Sequence, residues 1–293
     1  MSADAIHGRA TATPRVAIAP AAPRNRIGRP ATRPGGGRIE TRGRRARAAA
    51  RAAVALGALL LAVPGRARAQ EMPDPKGMMR WGTESFLLLD ELEAAPGAER
   101  GPVRLEATGW IGGAFDRFWF RADAEQLTRD GAGAAEVQLL YGRLVSSFWD
   151  AQVGVRIDRR WGGDGATRAH LALGLEGLAP YWFELAPTLF ISQDGDVSAR
   201  LEASYELLLT QRLIAEPELE LNAALQEVPA FGVARGVDDV GLGVRLRYEI
   251  ARELAPYIGF AWTRRFGGGA DLARAEGEPV SDGAFVAGVR VWY

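Results

Sequence analysis

The sequence predicts an all-β protein, a transmembrane antiparallel up-and-down β-barrel that follows a signal peptide. Apolar and polar residues alternate with period two in successive segments after residue 70. These segments run for about 10–14 residues, which suffices for a tilted membrane strand of about 9–11, whereas soluble strands average about 5–6. Short and longer connections alternate between them, as in outer-membrane barrels. A soluble β-sandwich or closed binding barrel is disfavoured because the second face of each segment is charged.

Charge is distributed unevenly along the 293 residues, although the formal net charge is zero. Residues 1–69 hold 14 arginines and 2 acidic residues, whereas residues 70–293 hold 22 basic and 34 acidic residues. A nucleic-acid partner is therefore not expected, because the acidic part repels phosphates. The chain has no cysteine, which excludes disulfides, Cys-ligated metals and thiol catalysis.

The N-terminal part has the pattern of an export signal. Residues 1–51, rich in Arg, Ala and Pro, are expected to be a disordered extension and n-region. Residues 52–69 supply the apolar h-region and the cleavage site Ala67-x-Ala69. The n-region is far longer than normal, and a start codon assigned too far upstream is the simplest explanation. Residues 70–82 are then a periplasmic segment before the barrel, residues 83–293.

Within the barrel region we expect 12 strands. In each one an apolar row alternates with a charged row; for example, Leu171, Leu173 and Leu175 oppose Arg168 and His170. The apolar row is expected to face lipid and the charged row the lumen. The expected strands are 83–93, 103–112, 117–127, 134–145, 149–158, 167–176, 181–192, 197–210, 214–226, 239–250, 256–265 and 284–293.

The connections and the aromatic residues indicate how the barrel sits in the outer membrane. An even number of strands places both termini in the periplasm and the long loops, such as 266–283, outside. The last strand, Phe285 to Tyr293, ends on an aromatic residue. Aromatic residues at strand ends belong at the boundary between lipid and water. They are Trp110, Phe118–Trp119–Phe120, Phe148–Trp149, Tyr181–Trp182–Phe183, Tyr257 and Trp262.

The expected lumen face carries 14 acidic and 9 basic residues. Arg–carboxylate pairs are the usual filling of small barrels, because buried charges must be paired. A surplus of acids additionally concentrates cations and rejects anions. Strand 83–93 has ambiguous parity over Phe86 to Glu93 and is left out of this count.

One hairpin allows two interpretations. A turn at 211–213 pairs Thr210 with Ile214 and sets Glu206 directly opposite Glu218, which is destabilising unless compensated. Either Arg245 and Arg247 on the next strand neutralise these acids, or the acids form a cation site near the periplasmic mouth. That acidic patch would consist of Glu206, Glu216, Glu218 and Glu220.

Several segments resemble one known family in order and to the last residue. They include Gly177–Glu184, Arg200–Leu213, Gly243–Ile250, Arg252–Gly259 and Asp271–Gly277. Over about residues 80–293 the chain resembles the copper resistance protein B family. The resemblance implies an outer-membrane barrel, in contact with lipid, that binds copper ions or lets them cross. It also implies periplasmic copper-resistance proteins as partners, with copper as a weakly bound or transported ion and not a catalytic one.

The candidate copper ligands are few. Family members often carry a long Met- and His-rich segment before the barrel, whereas residues 70–80 hold only Met72, Met78 and Met79 and no His. Thioethers suit Cu(I), and imidazole and carboxylates suit Cu(II). The three methionines and His170, which lies on the lumen face, are therefore candidate ligands; each also has an ordinary structural interpretation in packing or hydrogen bonding.

An enzyme is not expected, because His170 is the only imidazole after residue 70 and no serine motif accompanies it. The leading interpretation is a copper-handling barrel. The alternative is a structural or general small-cation barrel without copper specificity.

Overall fold

The computed structural model describes residues 82–95, 102–127, 131–162, 165–276 and 278–293. The expected extension, signal peptide and most of the segment 70–82 lie outside the described residues. Met72, Met78 and Met79 lie there too, so their candidate role in binding copper stays a prediction.

The described residues form 12 antiparallel strands that close into a barrel, which confirms the expected fold class. Each strand pairs with the next one in sequence, and the last strand pairs with the first. A two-residue strand, Leu207–Leu208, continues the eighth strand toward its turn. The strands are β1 Glu84–Ala94, β2 Pro102–Gly112, β3 Asp116–Leu127, β4 Gly133–Ser146, β5 Trp149–Trp161, β6 Ala166–Leu178, β7 Glu184–Ser192, β8 Val197–Ser204, β9 Leu213–Ala224, β10 Gly236–Tyr248, β11 Leu254–Arg265 and β12 Ser281–Trp292.

The two faces of the barrel wall follow the predicted parity. On β6, Leu171, Leu173 and Leu175 are 40–44% exposed on the outer surface, whereas Arg168 and His170 are buried inside. This inside-out arrangement, with charge buried and leucine exposed, is the arrangement that a lipid environment selects. It identifies the outer surface as the membrane-facing one.

The two ends of the barrel differ as expected. Short turns join the strands at one end, where β1 begins and β12 ends. The other end carries the longer connections, including a helix, α1 (Gly267–Glu276), between β11 and β12. The helix was not predicted; it forms where the sequence loses period two and becomes rich in alanine, and it buries Ala270 and Ala273. Among the described residues, no helix has the length and apolarity to cross a membrane.

A β-bulge in β1 resolves the ambiguous parity of that strand. The register with β2 shifts between Leu89 and Glu91. As a result Asp90, Glu91 and Glu93 are all buried in the lumen, while Leu92 is 42% exposed on the outer surface. A regular strand would turn one of the adjacent acids toward lipid, which is unfavourable, so the bulge brings both inside.

Two expectations about aromatic residues are wrong. Strand β7 begins at Glu184, because Pro180–Trp182 forms a 3₁₀ turn in which Tyr181 and Trp182 both have φ of 68°. Trp110, Trp119 and Tyr257 are not at the lipid boundary: they are 3–5% exposed and turn into the lumen. Trp110 and Trp119 share the parity of the charged inner residues of their strands, and this outweighs their position near the strand ends.

The predicted register of the β8–β9 hairpin is wrong by two residues. Glu218 pairs with Ser204, and Glu220 pairs with Glu202. The turn is longer than expected because Thr210 does not join the ladder: its hydroxyl accepts hydrogen bonds from the backbone N–H groups of Arg212 and Leu213. The shift is even, so every side chain keeps its predicted face.

The topology can be tested by thiol labelling, because the chain has no natural cysteine. Asp271 is an exposed residue of α1 at the long-loop end, and Gln211 is an exposed residue of a short turn. We expect Asp271→Cys to react with a membrane-impermeant maleimide on intact cells, and Gln211→Cys to react only after outer-membrane rupture. The reverse pattern would invert the predicted orientation.

Candidate functional site

The candidate site is the lumen, where charged side chains from opposite walls meet. Arg245 on β10 contacts Glu91 and, at 3.3 Å, Glu93, both on β1. It also contacts Glu218 on the neighbouring strand β9. Arg104 on β2 reaches the same two β1 acids at 4.0 and 3.6 Å. Two guanidinium groups thus enclose the carboxylates that the β1 bulge turns inward.

A second group of contacts lies closer to the short-turn end. Arg247 contacts both Glu206 and Glu216. Arg290 on β12 lies 3.2 Å from Glu216 and 2.9 Å from Asp90. All of these groups are removed from water, so each charge depends on its partners for stability.

Toward the long-loop end, Glu136 is held between two arginines. Arg200, from β8 on another part of the wall, donates to both carboxylate oxygens of Glu136 at 3.0 and 3.1 Å. Arg156 approaches the same carboxylate at 2.9 Å, and Gln138 donates to it at 2.6 Å. A bidentate pair of this kind is among the stronger polar contacts that proteins make.

Apolar side chains fill the lumen beside β2 to β7. Trp110, Trp119, Leu140, Ala172 and Phe190 form one buried cluster. Charged groups of the same strands border this cluster; for example, Arg121 contacts Glu176 at 2.6 Å.

The four glutamates predicted as an acidic patch do not form a single site. Glu206 and Glu216 share Arg247, Glu218 contacts Arg245, and Glu220 accepts a hydrogen bond from Asn222 and lies 3.5 Å from Arg200. Among the described residues, no group of three or more His, Asp or Glu side chains is placed to hold a metal ion. The geometry therefore favours the first interpretation, compensation by arginine.

His170 is on the lumen face, as its parity predicts, and it lines a cavity of about 120 Å³ at the long-loop end. Its Nδ1 atom lies 3.7 Å from Oδ2 of Asp158 and has no hydrogen-bond partner. Arg156 is its neighbour across the β5–β6 ladder, and the ring of Phe190 meets it edge-on with centroids 6.3 Å apart. His170 does not line either of the cavities that contain Glu216, Glu218 or Glu220.

The sequence reasoning missed the three β1 acids, Asp90, Glu91 and Glu93, which supply carboxylates to the centre of the lumen. The sequence did contain a signal: Asp90 and Glu91 are adjacent in an otherwise apolar strand. Regular alternation of that strand would place one of the two charges in lipid. Arg117, which pairs with Asp150, and Asp239 were also missed.

Comparison with known proteins now identifies the family. Residues 83–293 match the family model "Copper resistance protein B precursor (CopB)". The chain is 41% identical over 208 residues to copper resistance protein B of Escherichia coli, covering 71% of this chain and 69% of that one. The chain belongs to the copper resistance protein B family. The resemblance inferred from residues 80–293 is thereby confirmed.

A second CopB relative, a homolog from Pseudomonas syringae pv. tomato, is 39% identical over 209 residues, which cover 71% of this chain and 70% of the relative. Among solved structures, the NanC porin matches with a TM-score of 0.45 and 11% identity, over 71% of this chain and 99% of that chain. The assignment to the CopB family rests on the sequence matches.

The arginine at the centre of the acidic side should dominate the stability of this CopB barrel. We expect Arg245→Met to lower the free energy of unfolding by about 3–5 kcal/mol, because it leaves buried carboxylates uncompensated. The control Arg143→Met breaks an exposed pair with Asp116 and should cost no more than about 1 kcal/mol. Tryptophan fluorescence during urea unfolding in detergent measures both, and equal losses would contradict this role of Arg245.

The double variant Glu206→Gln, Glu218→Gln separates the two interpretations of the acidic patch. Since Arg247 and Arg245 already compensate these acids, we expect it to melt lower than wild type in chelator and to keep the wild-type response to copper. Glu253→Gln, in an exposed turn, is the matched control. A higher melting temperature in chelator, with the copper response abolished, would instead indicate a cation site.

Proposed function

We propose that this barrel handles copper ions in the outer membrane, by binding them weakly in the lumen, by letting them cross, or by both. The observation that carries the proposal is the acidic side of the lumen. The bulge in β1 brings Asp90, Glu91 and Glu93 against the glutamates of β9, although regular alternation would have placed one of them outside. A low-dielectric duct with excess carboxylates attracts cations.

Copper is favoured over other cations for two reasons. The first is membership of the copper resistance protein B family. The second is His170, whose buried imidazole nitrogen faces a carboxylate across 3.7 Å. A site made of one imidazole and carboxylates suits Cu(II) and would exchange its ion readily.

No catalytic role is proposed. Asp158, His170 and Ser192 lie near one another, since Ser192 pairs with His170 in the β6–β7 ladder. However, the Ser192 hydroxyl donates to Asp196 at 3.3 Å and accepts from Arg168 at 3.0 Å and from the backbone of the 193–196 turn. It therefore secures a turn and is not activated by an adjacent base.

A general small-cation barrel is the alternative. The acids of β9 favour it, because they are compensated by arginines and do not single out copper. The two functions differ at His170, because an imidazole strengthens the binding of Cu(II) much more than the binding of a hard cation such as Mg²⁺.

Two measurements test this function in wild type and in each variant. They are Cu(II) binding by the purified barrel and copper tolerance of a deletion strain complemented with that variant. We expect His170→Ala to weaken Cu(II) binding by about tenfold or more, or about 1.4 kcal/mol, without unfolding the barrel. Thr188→Ala, which removes a buried lumen hydroxyl on β7, is the control and should bind copper like wild type.

Conductance of the barrel in a lipid bilayer, with and without copper, then separates binding from passage. Unchanged copper binding in His170→Ala would favour the general cation barrel and would leave His170 with a structural role.

A further inference from the structure

Three cavities succeed one another from the long-loop end of the lumen toward the short-turn end, and β9 and β10 contribute to the walls of all three. The first, of about 120 Å³, lies at the long-loop end and has Asp239 in its wall. Asp239 also lines the second cavity, of about 50 Å³, which Gly241 and Gly243 border. The third, of about 10 Å³, reaches Arg247 and Arg290. The cavities therefore occupy successive depths of the barrel.

A bridge of side chains separates the second cavity from the third. Arg245, Glu91 and Glu218 line both cavities. Arg245, on β10, contacts Glu218 on the neighbouring strand and Glu91 on β1, which is not a neighbour of β10 in the wall. Its Nε atom lies 3.3 Å from Glu93, and the hydroxyl of Tyr257 donates to the same carboxylate at 3.1 Å. One guanidinium group thus holds three carboxylates at the boundary between the two cavities.

The third cavity is too small for a hydrated ion while this bridge is in place. A single water molecule needs about 10–15 Å³ of such volume. The third cavity, of about 10 Å³, therefore holds one water at most, whereas the second, of about 50 Å³, has room for more than one. Because the bridge consists of side chains, a change of rotamer at Arg245 can join the two cavities without movement of the wall.

A glycine on β10 leaves room for this movement. A Cβ atom at position 243 would lie 3.3 Å from Nη1 of Arg245 and 3.1 Å from Oε2 of Glu218, which is closer than ordinary van der Waals contact. A Cβ atom at Gly241 would lie 3.7 Å from the Cβ of Glu220, an ordinary contact. The missing side chain of Gly243 therefore keeps space open directly beside the bridge, whereas that of Gly241 does so at another part of the second cavity.

The charge of the two inner cavities allows a cation to compete with the guanidinium group. Among the described residues, six acids and four arginines line these cavities. The acids are Asp90, Glu91, Glu216, Glu218, Glu220 and Asp239. A buried carboxylate needs a positive partner, and a cation in the second cavity can serve Glu91 or Glu218 in place of Arg245. Arrival of the cation would thereby release the bridge.

We propose that these three cavities form the route by which cations cross the barrel and that Arg245 is its gate. The gate is closed when the guanidinium group bridges Glu91 and Glu218, and it opens when an arriving cation replaces the guanidinium group at these carboxylates. This inference rests on the passage of ions included in the proposed function, and it names the path and its regulation. No covalent bond forms or breaks.

Two variants at the bridge should change the conductance of the full barrel in opposite directions. Gly243→Ala places a methyl group beside the guanidinium and should lower the K⁺ current in a planar lipid bilayer by about threefold or more. Arg245→Lys keeps the positive charge but loses the planar fork that binds several carboxylates at once, so it should raise the current by about threefold or more. Cu(II) uptake by liposomes that contain each variant should change in the same directions.

Gly241→Ala is the matched control, because it adds the same methyl group on the same strand and in the same cavity. We expect it to lower the current much less than Gly243→Ala does, since its contact with Glu220 is an ordinary one. Heat-modifiable migration in electrophoresis shows whether each variant has folded. If Arg245→Lys does not fold, the comparison of the two glycine variants decides the question.

The outcomes separate the gate from the function on which it rests. Equal currents in wild type, Gly243→Ala and Arg245→Lys, or equal losses in the two glycine variants, would overturn the gate. So would the absence of current in every folded variant. Cu(II) binding and rescue of copper tolerance by wild type would then leave the copper-handling function intact. Conversely, opposite effects of Gly243→Ala and Arg245→Lys on K⁺ current would retain the gate even where wild type neither binds Cu(II) nor restores copper tolerance.

Discussion

The pairing of charges removed from water is the constraint on which the rest of this barrel depends. A charged group in the lumen is destabilising unless an opposite charge reaches it, and the wall of a closed barrel supplies such partners from other strands. Arg245 meets Glu91 and Glu93, Arg200 meets Glu136, and Arg290 meets Asp90. The first two contacts join strands that are not neighbours in the wall, so they fix the cross-section of the barrel as well as its charge.

The same constraint explains the one irregularity in an otherwise regular wall. Strand β1 contains Asp90 and Glu91 in sequence, and lipid on the outer side would accept neither. The bulge turns both inward, where Arg290 and Arg245 are positioned to pair with them. Gly243 on β10 contributes space, because a Cβ there would lie 3.1 Å from Oε2 of Glu218 and 3.3 Å from a guanidinium nitrogen of Arg245. The acids that the bulge turns inward are thus held by the arginines that they stabilise in the lumen.

Period two and segment length were sufficient to predict the strands, the two faces, the position of His170 and the number of strands, because membrane strands must alternate along their whole length. Two failures have local causes. The hairpin register depended on Thr210 bonding to its own turn, and Trp110 follows the inward parity of its strand although it lies near the strand end. The arginine partner of each glutamate could not be inferred either, because parity gives a face but not the depth of a side chain or its reach across the lumen.

The charges of the lumen are paired along its axis, and this limits how tightly an ion could be held there. At the long-loop end, Arg156 pairs with Asp158 at 2.7 Å. Further in, Arg245 contacts Glu91 and Glu218. A cation that entered would compete with a guanidinium group for each of these carboxylates, so the pairs favour weak, exchangeable contacts over a dedicated cluster of ligands.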